Sequence, residues 1–249
     1  MWLMYVCGKQ DKTTLSIMKI KSQRINKKKA VVLFSGGLDS TTVLYFAQSK
    51  GYETFCLTFD YGQRHKKEIK RAEEIARKCR SLWQVIKFSL PWKGSSLIDT
   101  NQVIPENRDI DSGIPSTYVP CRNIIFLSFA ASFAESIGAQ TIFIGANQID
   151  YSGYPDCNDE FLKAFENALR KGTKFCIAGK KMFIAAPLIH KNKAQIIKLG
   201  IKLKVPFALT WSCYQGGSEP CGVCDSCRLR AKGFAQAKVK EPKKKINNA

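Results

Sequence analysis

The chain has 249 residues, 45% of them hydrophobic, which fits one soluble α/β domain of ordinary size with appendages. No run of about twenty apolar residues occurs, and the apolar start Met1 to Val6 is too short for a signal-peptide core, so no membrane partner is expected and the protein is placed in the cytoplasm. The net charge of +20 raises nucleic acid as a partner, but residues 1–29 and 238–249 hold +11 of it, and basic tails are as a rule solvated; nucleic acid is therefore not expected.

Residues 1–29 lack periodicity and are rich in Lys, Gln, Ser and Thr, which predicts a flexible basic extension or a true start near Met18. Ala30 to Phe34 is a short apolar run with β-branched residues, the pattern of a buried strand. Ser35-Gly36-Gly37 breaks it, and Asp39-Ser40-Thr41-Thr42 offers capping side chains for a helix through Val43 and Leu44 to about Lys50, stopped by Gly51. A strand, glycine turn and helix in that order aim backbone N–H groups and a helix dipole at one spot, which suits phosphate. A lone Gly-Gly usually marks an ordinary βα turn. Here the hydroxyls of Ser35, Ser40 and Thr41 surround the glycines, with Asp39 as a candidate magnesium ligand, and these favour phosphate.

The stretch has neither the Gly-Lys-Ser/Thr ending of Walker-type loops nor Gly-x-Gly-x-x-Gly. Ser-Gly-Gly-Leu-Asp-Ser-Thr resembles the pyrophosphate loop of the ATP pyrophosphatase superfamily. Members of that superfamily adenylate a substrate oxygen and release pyrophosphate. The resemblance implies ATP contacts from Phe34, Ser35, Gly36, Gly37, Leu38, Asp39, Ser40, Thr41, Thr42, Val43 and Leu44.

Glu53 to Phe59 reads as a second strand, ending in the polar, aromatic cluster Phe59-Asp60-Tyr61-Gly62-Gln63-Arg64-His65. Ligands bind at such strand ends in open α/β sheets. An amphipathic helix follows, with Ile69, Ala72, Ile75, Ala76 and Cys79 on one face, and then a third strand over Gln84 to Phe88. Pro91 to Pro120 is irregular, with four prolines, and its length predicts a lid or substrate-binding segment. It closes in Thr117-Tyr118-Val119-Pro120-Cys121-Arg122-Asn123, ahead of a buried apolar helix over Ile124 to Ile137. Thr141 to Ala146 is a fourth strand, again ending in a polar, aromatic cluster from Asn147 to Cys157. Asn158 caps a helix to about Lys171, Met182 to Ala186 is a fifth strand, and Asn192 caps the helix Lys193 to Leu203. Strands alternating with helices predict an α/β fold with a doubly wound parallel sheet over 30–208.

Six of the ten cysteines (Cys7, Cys56, Cys79, Cys121, Cys157, Cys176) are scattered, as packed free thiols are. Cys213, Cys221, Cys224 and Cys227 are clustered at metal-ligand spacings, with Gly222 allowing a tight turn. Disulfides do not suit the expected compartment. Between an iron–sulfur cluster and zinc, four thiolates with no open position favour one closed, structural Zn2+, giving a zinc segment over 209–237 and a basic tail over 238–249.

These motifs together, from about Val31 to Phe234, resemble the 7-cyano-7-deazaguanine synthase family of queuosine biosynthesis. The carriers are the glycine loop, Phe59 to His65, Tyr118-Val119-Pro120 with Arg122-Asn123, Asp150-Tyr151-Ser152-Gly153-Tyr154-Pro155-Asp156-Cys157, and Cys213 through Arg230. The resemblance implies a Rossmann-like, adenine nucleotide alpha hydrolase-like fold. It also implies a carbon–nitrogen ligase that converts 7-carboxy-7-deazaguanine and ammonia to the nitrile through adenylated intermediates, with ATP as co-substrate, Mg2+ accompanying it, and a homodimer. In that chemistry Asp39, Arg64, Arg122 and Lys193 are the catalytic candidates. Tyr61, Gln63, Arg64, His65, Arg122, Asn123, Asn147, Asp150, Tyr151, Tyr154 and Asp156 are the candidates for substrate contact. Each has a plainer role available, Arg122 as a helix-start ion pair, the tyrosines as core and His65 as a cap. Cys121 and His190-Lys191-Asn192 depart from the family pattern, which loosens the assignment of Lys193. The rival enzyme is a tRNA-modifying pyrophosphate-loop protein that adenylates a base, for which the chain has little room. A zinc-ribbon nucleic-acid module explains the charge and cysteines but not the glycine loop.

Overall fold

The computed structural model describes residues 27–109, 113–149 and 153–242. Most of the expected N-terminal extension, most of the C-terminal tail, and the candidates Asp150 and Tyr151 lie outside the described residues.

Strand β1 (Lys29–Leu33) alternates its side chains between two buried clusters, Ala30 and Val32 to one and Val31 and Leu33 to the other. Both faces are covered, which is why the strand reads as an unbroken apolar run. Helix α1 (Leu38–Ser49) follows, then β2 (Glu53–Asp60), α2 (Lys67–Lys78) and β3 (Leu82–Lys87). After the long irregular segment come α3 (Arg122–Ile137), β4 (Thr141–Phe143), α4 (Asp159–Gly172), the short α5 (Lys174–Ile177) and β5 (Phe183–Ala185). The chain ends with α6 (Lys193–Lys202), a 3-10 turn at Phe207–Leu209, and α7 (Asp225–Ala237).

The five strands are parallel in the order β3-β2-β1-β4-β5, with Val31 opposite both Phe55 and Ile142. One layer packs α1, α2, α6 and α7 on the sheet through Leu44, Ile75, Ile197 and Phe234. The other packs α3, α4 and α5 through Leu127, Leu162 and Phe175. The strand order reverses beside β1, and the carboxyl ends of β1 and β4 therefore open a crevice there, as open α/β sheets do.

Element boundaries follow local chemistry. Asn192 and Gln195 form a reciprocal capping box on α6, and Asn158 caps α4 through the Phe161 N–H. Strand β4 stops at Phe143 rather than Ala146; the Ile144 N–H still donates to the Ala185 carbonyl at 3.0 Å, and Ile144 to Ala146 line the crevice. Helix α3 is buried only along Leu127, Ala130, Ala131 and Ala134; Ile124 and Phe129 on its other side are each 38% exposed. Helices α5 and α7 carry no clear apolar periodicity and are not signalled by sequence. Phe234 and Ala237 of α7 enter the same cluster as Val32, so the C-terminal segment completes one layer of the sheet.

Candidate active site

The glycine loop leaves β1 and runs straight into α1. Gly36 adopts φ +78°, and a Cβ there would stand 2.6 Å from the Ala72 nitrogen and 2.8 Å from the Glu68 carbonyl oxygen of α2. Only glycine fits both the dihedral and the gap. The Trp211 N–H donates to the Gly36 carbonyl at 3.1 Å, which pins the loop from the far side.

The expected capping role of Asp39 to Thr42 is corrected. Gly37 is the N-cap of α1 and no side chain caps it. Extended backbone at Gly37 starts the helix at Leu38, so all four residues lie within the helix. The Thr41 and Thr42 hydroxyls donate back to the carbonyls of Gly37 and Leu38 at 2.6 and 2.9 Å. Ser40 Oγ meets Ser35 Oγ at 3.1 Å, and the Gly37 N–H donates to Ser35 Oγ at 3.2 Å. An uncapped helix N-terminus ringed by hydroxyls is suited to bind an anion.

Asp39 accepts from Lys193 Nζ through both carboxylate oxygens, at 3.0 and 2.8 Å. Lys193 opens α6 and is nearly buried; Gly233 of α7 sits against its stem, where any side chain would collide. Three segments distant in sequence thus place one cation beside the glycine loop. Asp39, the candidate for magnesium, has both oxygens engaged by this lysine.

A cavity of about 260 Å³ opens at this loop. Of the expected ATP contacts, Phe34, Ser35, Gly37, Leu38, Asp39 and Ser40 line it. Val43 and Leu44 are fully buried in the layer beneath, and Gly36, Thr41 and Thr42 support the loop from behind. Tyr61, Gln63, Arg122, Asn123, Asn147, Tyr154 and Lys193 also line the cavity. Arg64, His65 and Asp156 do not. Arg64 donates to the carbonyls of Thr100 and Gln102, both at 2.6 Å, and so ties down the long irregular segment. His65 packs on Gly216, and burial lowers its pKa. Asp156 accepts from the Asn123 N–H at 3.1 Å and thereby serves the N-terminus of α3.

Arg122 lines the cavity from the first turn of α3. Burial works against its charge, but Tyr61 and Tyr154 outweigh that and keep it a cation. Burial raises the phenols of Tyr61 and Tyr154, which therefore stay protonated. The cavity is also lined by Glu68, Trp211, Tyr214 and Arg230, which sequence reasoning missed. Burial raises the Glu68 carboxyl to about 7, with Arg122 opposing and Cys213 adding to the shift. One signal for Glu68 was present: it lies four residues before Ala72 and seven before Ile75, on the buried face of α2. Arg230 donates to Thr210 Oγ1 at 2.7 Å and to Glu241 at 2.6 Å, fixing α7 to this wall.

The four clustered cysteines place their sulfurs within 4.8 Å of one another. A tetrahedron of thiolates about 2.3 Å from one ion has sulfurs roughly 3.8 Å apart, close to the 4.0 Å between Cys221 and Cys227. S–H donation from Cys224 and Cys227 holds Cys213 far below the usual thiol range, and Cys213 in turn pushes Cys224 up to about 11. The donor set therefore fits a metal ion. The N–H groups of Cys221 and Cys224 reach the sulfurs of Cys213 and Cys221 at 3.4 Å. The long segment is fastened to this site by the Glu106–Cys224 bridge and the Arg108–Asp225 ion pair at 3.1 Å.

A family model described as "Queuosine biosynthesis protein QueC" matches residues 29–238. A 7-cyano-7-deazaguanine synthase of Thermoplasma volcanium is 53% identical over 220 residues, covering 87% of this chain and 90% of that protein. Those of Clostridium kluyveri and Cellvibrio japonicus are 50% and 51% identical, with 86% and 88% of this chain covered and 96% and 98% of theirs. Among solved structures, an NMN synthetase from Francisella tularensis aligns over 94% of this chain and 87% of its own at 13% identity and a TM-score of 0.46. That likeness is too loose to bear on chemistry.

Proposed function

The chain belongs to the QueC family of queuosine biosynthesis, whose relatives are 7-cyano-7-deazaguanine synthases, and from that premise we propose how its cavity carries out an ATP-dependent carbon–nitrogen ligation. 7-Carboxy-7-deazaguanine and ammonia give 7-cyano-7-deazaguanine. A carboxylate is a poor electrophile, so one oxygen attacks the α-phosphorus of ATP, pyrophosphate leaves, and an acyl adenylate results. Ammonia displaces AMP to form the amide. A second adenylation, on the amide oxygen, allows elimination to the nitrile.

One observation carries this: the uncapped end of α1 and the Arg122–tyrosine wall open into the same cavity. Ser35, Gly37 and Ser40 with the N-terminus of α1 hold the leaving pyrophosphate, and Lys193, oriented by Asp39, faces its charge. Arg122 holds the substrate carboxylate, Tyr61 and Tyr154 flank the deazapurine, and Asn147 meets its edge. Positioning and charge stabilisation supply the rate, without a covalent enzyme intermediate.

Zn2+ is the ion for which Cys213, Cys221, Cys224 and Cys227 are suited, and a closed four-thiolate site holds structure rather than reacting. Mg2+ neutralises ATP phosphate charge. It would come with the nucleotide, and Asp39, though paired with Lys193, keeps a lone pair on each oxygen and is the loop carboxylate that would hold it. The exposed Ile124 and Phe129 of α3 support a homodimer, and the free state of all nine cysteines among the described residues supports a reducing, cytoplasmic setting. The test is incubation with ATP, ammonia and 7-carboxy-7-deazaguanine. Nitrile, AMP and pyrophosphate are expected; ADP and phosphate, or no nitrile, would refute the assignment.

A further inference from the structure

Formation of the amide requires a proton acceptor. As neutral ammonia bonds to the acyl carbon, its nitrogen becomes cationic, and one N–H proton must leave before the adduct can collapse to amide and AMP. Without a base the adduct reverts by expelling ammonia.

The cavity offers few acceptors. Among the described residues that line it, Asp39 and Glu68 are the carboxylates, and no histidine is present. Asp39 spends both oxygens on Lys193. Burial holds the Cys157 thiol up at about 12 and keeps the phenols of Tyr61 and Tyr154 protonated, so none of these accepts a proton at neutral pH. Glu68 remains. It stands in the first turn of α2, and its backbone carbonyl is packed directly under Gly36 of the glycine loop. Its electrostatic neighbours are Arg122 and Tyr61 in the cavity and Cys213 behind it, and it forms no ion pair among the described residues. Its side chain lines the same cavity as the glycine loop and Arg122.

Resting on the adenylation chemistry proposed above, we propose that Glu68 is the general base of nitrogen transfer, taking the proton that ammonia loses as it attacks the acyl adenylate. The new C–N bond uses the ammonia lone pair. The acyl C–O bond to AMP breaks with its electron pair leaving on the AMP oxygen, and the proton passes from nitrogen to the Glu68 carboxylate and thence to solvent. A carboxyl held near 7 by burial is well matched to accept a proton at neutral pH and to release it again.

The test separates the two half-reactions. ATP–pyrophosphate exchange that depends on 7-carboxy-7-deazaguanine needs no ammonia; nitrile formation does. In Glu68→Gln, exchange should fall no more than a few-fold, while nitrile formation drops about 10²- to 10⁴-fold. Hydroxylamine, a less basic nucleophile whose cationic adduct gives up its proton more readily, should form hydroxamate in that variant with at least a tenfold smaller deficit. Glu68→Asp should recover part of the nitrile rate. Nitrile formation within about fivefold of the parent would overturn the proposal. So would exchange falling in step with nitrile formation, which marks a structural role. Absence of substrate-dependent exchange in the unaltered protein would instead remove the adenylation chemistry itself, and this role with it.

Discussion

The two halves of the cavity are built in opposite ways. The proposed phosphate half is built round one continuous piece, Phe34 to Ser40, shaped by a strand end, two glycines and a helix N-terminus, with Lys193 added from α6. The substrate half gathers Tyr61, Glu68, Arg122, Tyr154 and Tyr214 from separate segments, and is framed by the metal-site segment and the long loop fastened to it. The first owes its shape mainly to local backbone geometry, with Trp211 and Lys193 as its ties to distant segments. The second depends on tertiary ties, and its weakest tie decides whether it exists.

Cutting the strongest of those ties should produce the largest effect. Cys224→Ser removes one ligand from a buried four-thiolate site and undoes the anchor of Glu106. Metal content should fall well below one per chain, and stability by more than about 4 kcal/mol. Elemental analysis and urea unfolding check this; a metal-free variant of unchanged stability would make the site dispensable. Asp39→Asn attacks the phosphate half instead. It leaves Lys193 without its charged partner, and kcat/KM should fall about 10²- to 10³-fold in pyrophosphate exchange and nitrile formation alike, with metal content unchanged. Loss of metal in that variant would mean the halves are not separable.

Next comes pH. The Glu68 carboxyl is raised to about 7 and is active when ionised, so its contribution is present above that pH and lost below it. At saturating substrates, nitrile formation should drop roughly tenfold per unit on the acid side, while exchange changes little there. A shared acid limb would point to the phosphate half. The smallest effect is expected at Arg64, which holds the carbonyls of Thr100 and Gln102 outside the cavity. Arg64→Ala should raise the KM for the deazapurine about fivefold with kcat nearly constant, a loss of roughly 1 kcal/mol. A large fall in kcat would instead return Arg64 to the chemistry.

The same contrast explains what was legible beforehand. The sheet, its parallel strands and the glycine loop could be read because their signals are local: β-branched runs, Gly36-Gly37, and the caps Asn158 and Asn192. The cysteine cluster could be read because metal ligands keep short spacings. Helix α7 could not, since Gly233 and scattered charges hide its buried face. That glycine is there to admit Lys193. The motif Phe59 to His65 pointed to the right strand end, yet only Phe59, Tyr61 and Gln63 of it face the cavity, whereas Arg64 and His65 turn to the loop and the metal segment. Which side of a turn each side chain takes is settled by contacts distant in sequence. Glu68 was hidden for a different reason: an acidic residue in the first turn of a helix ordinarily serves the helix dipole.

The most direct test of the central claim follows the oxygen. With 7-carboxy-7-deazaguanine labelled in both carboxylate oxygens with ¹⁸O, the account predicts two AMP per nitrile, each carrying one label in its phosphate. Unlabelled AMP, or ADP and phosphate as products, would contradict it.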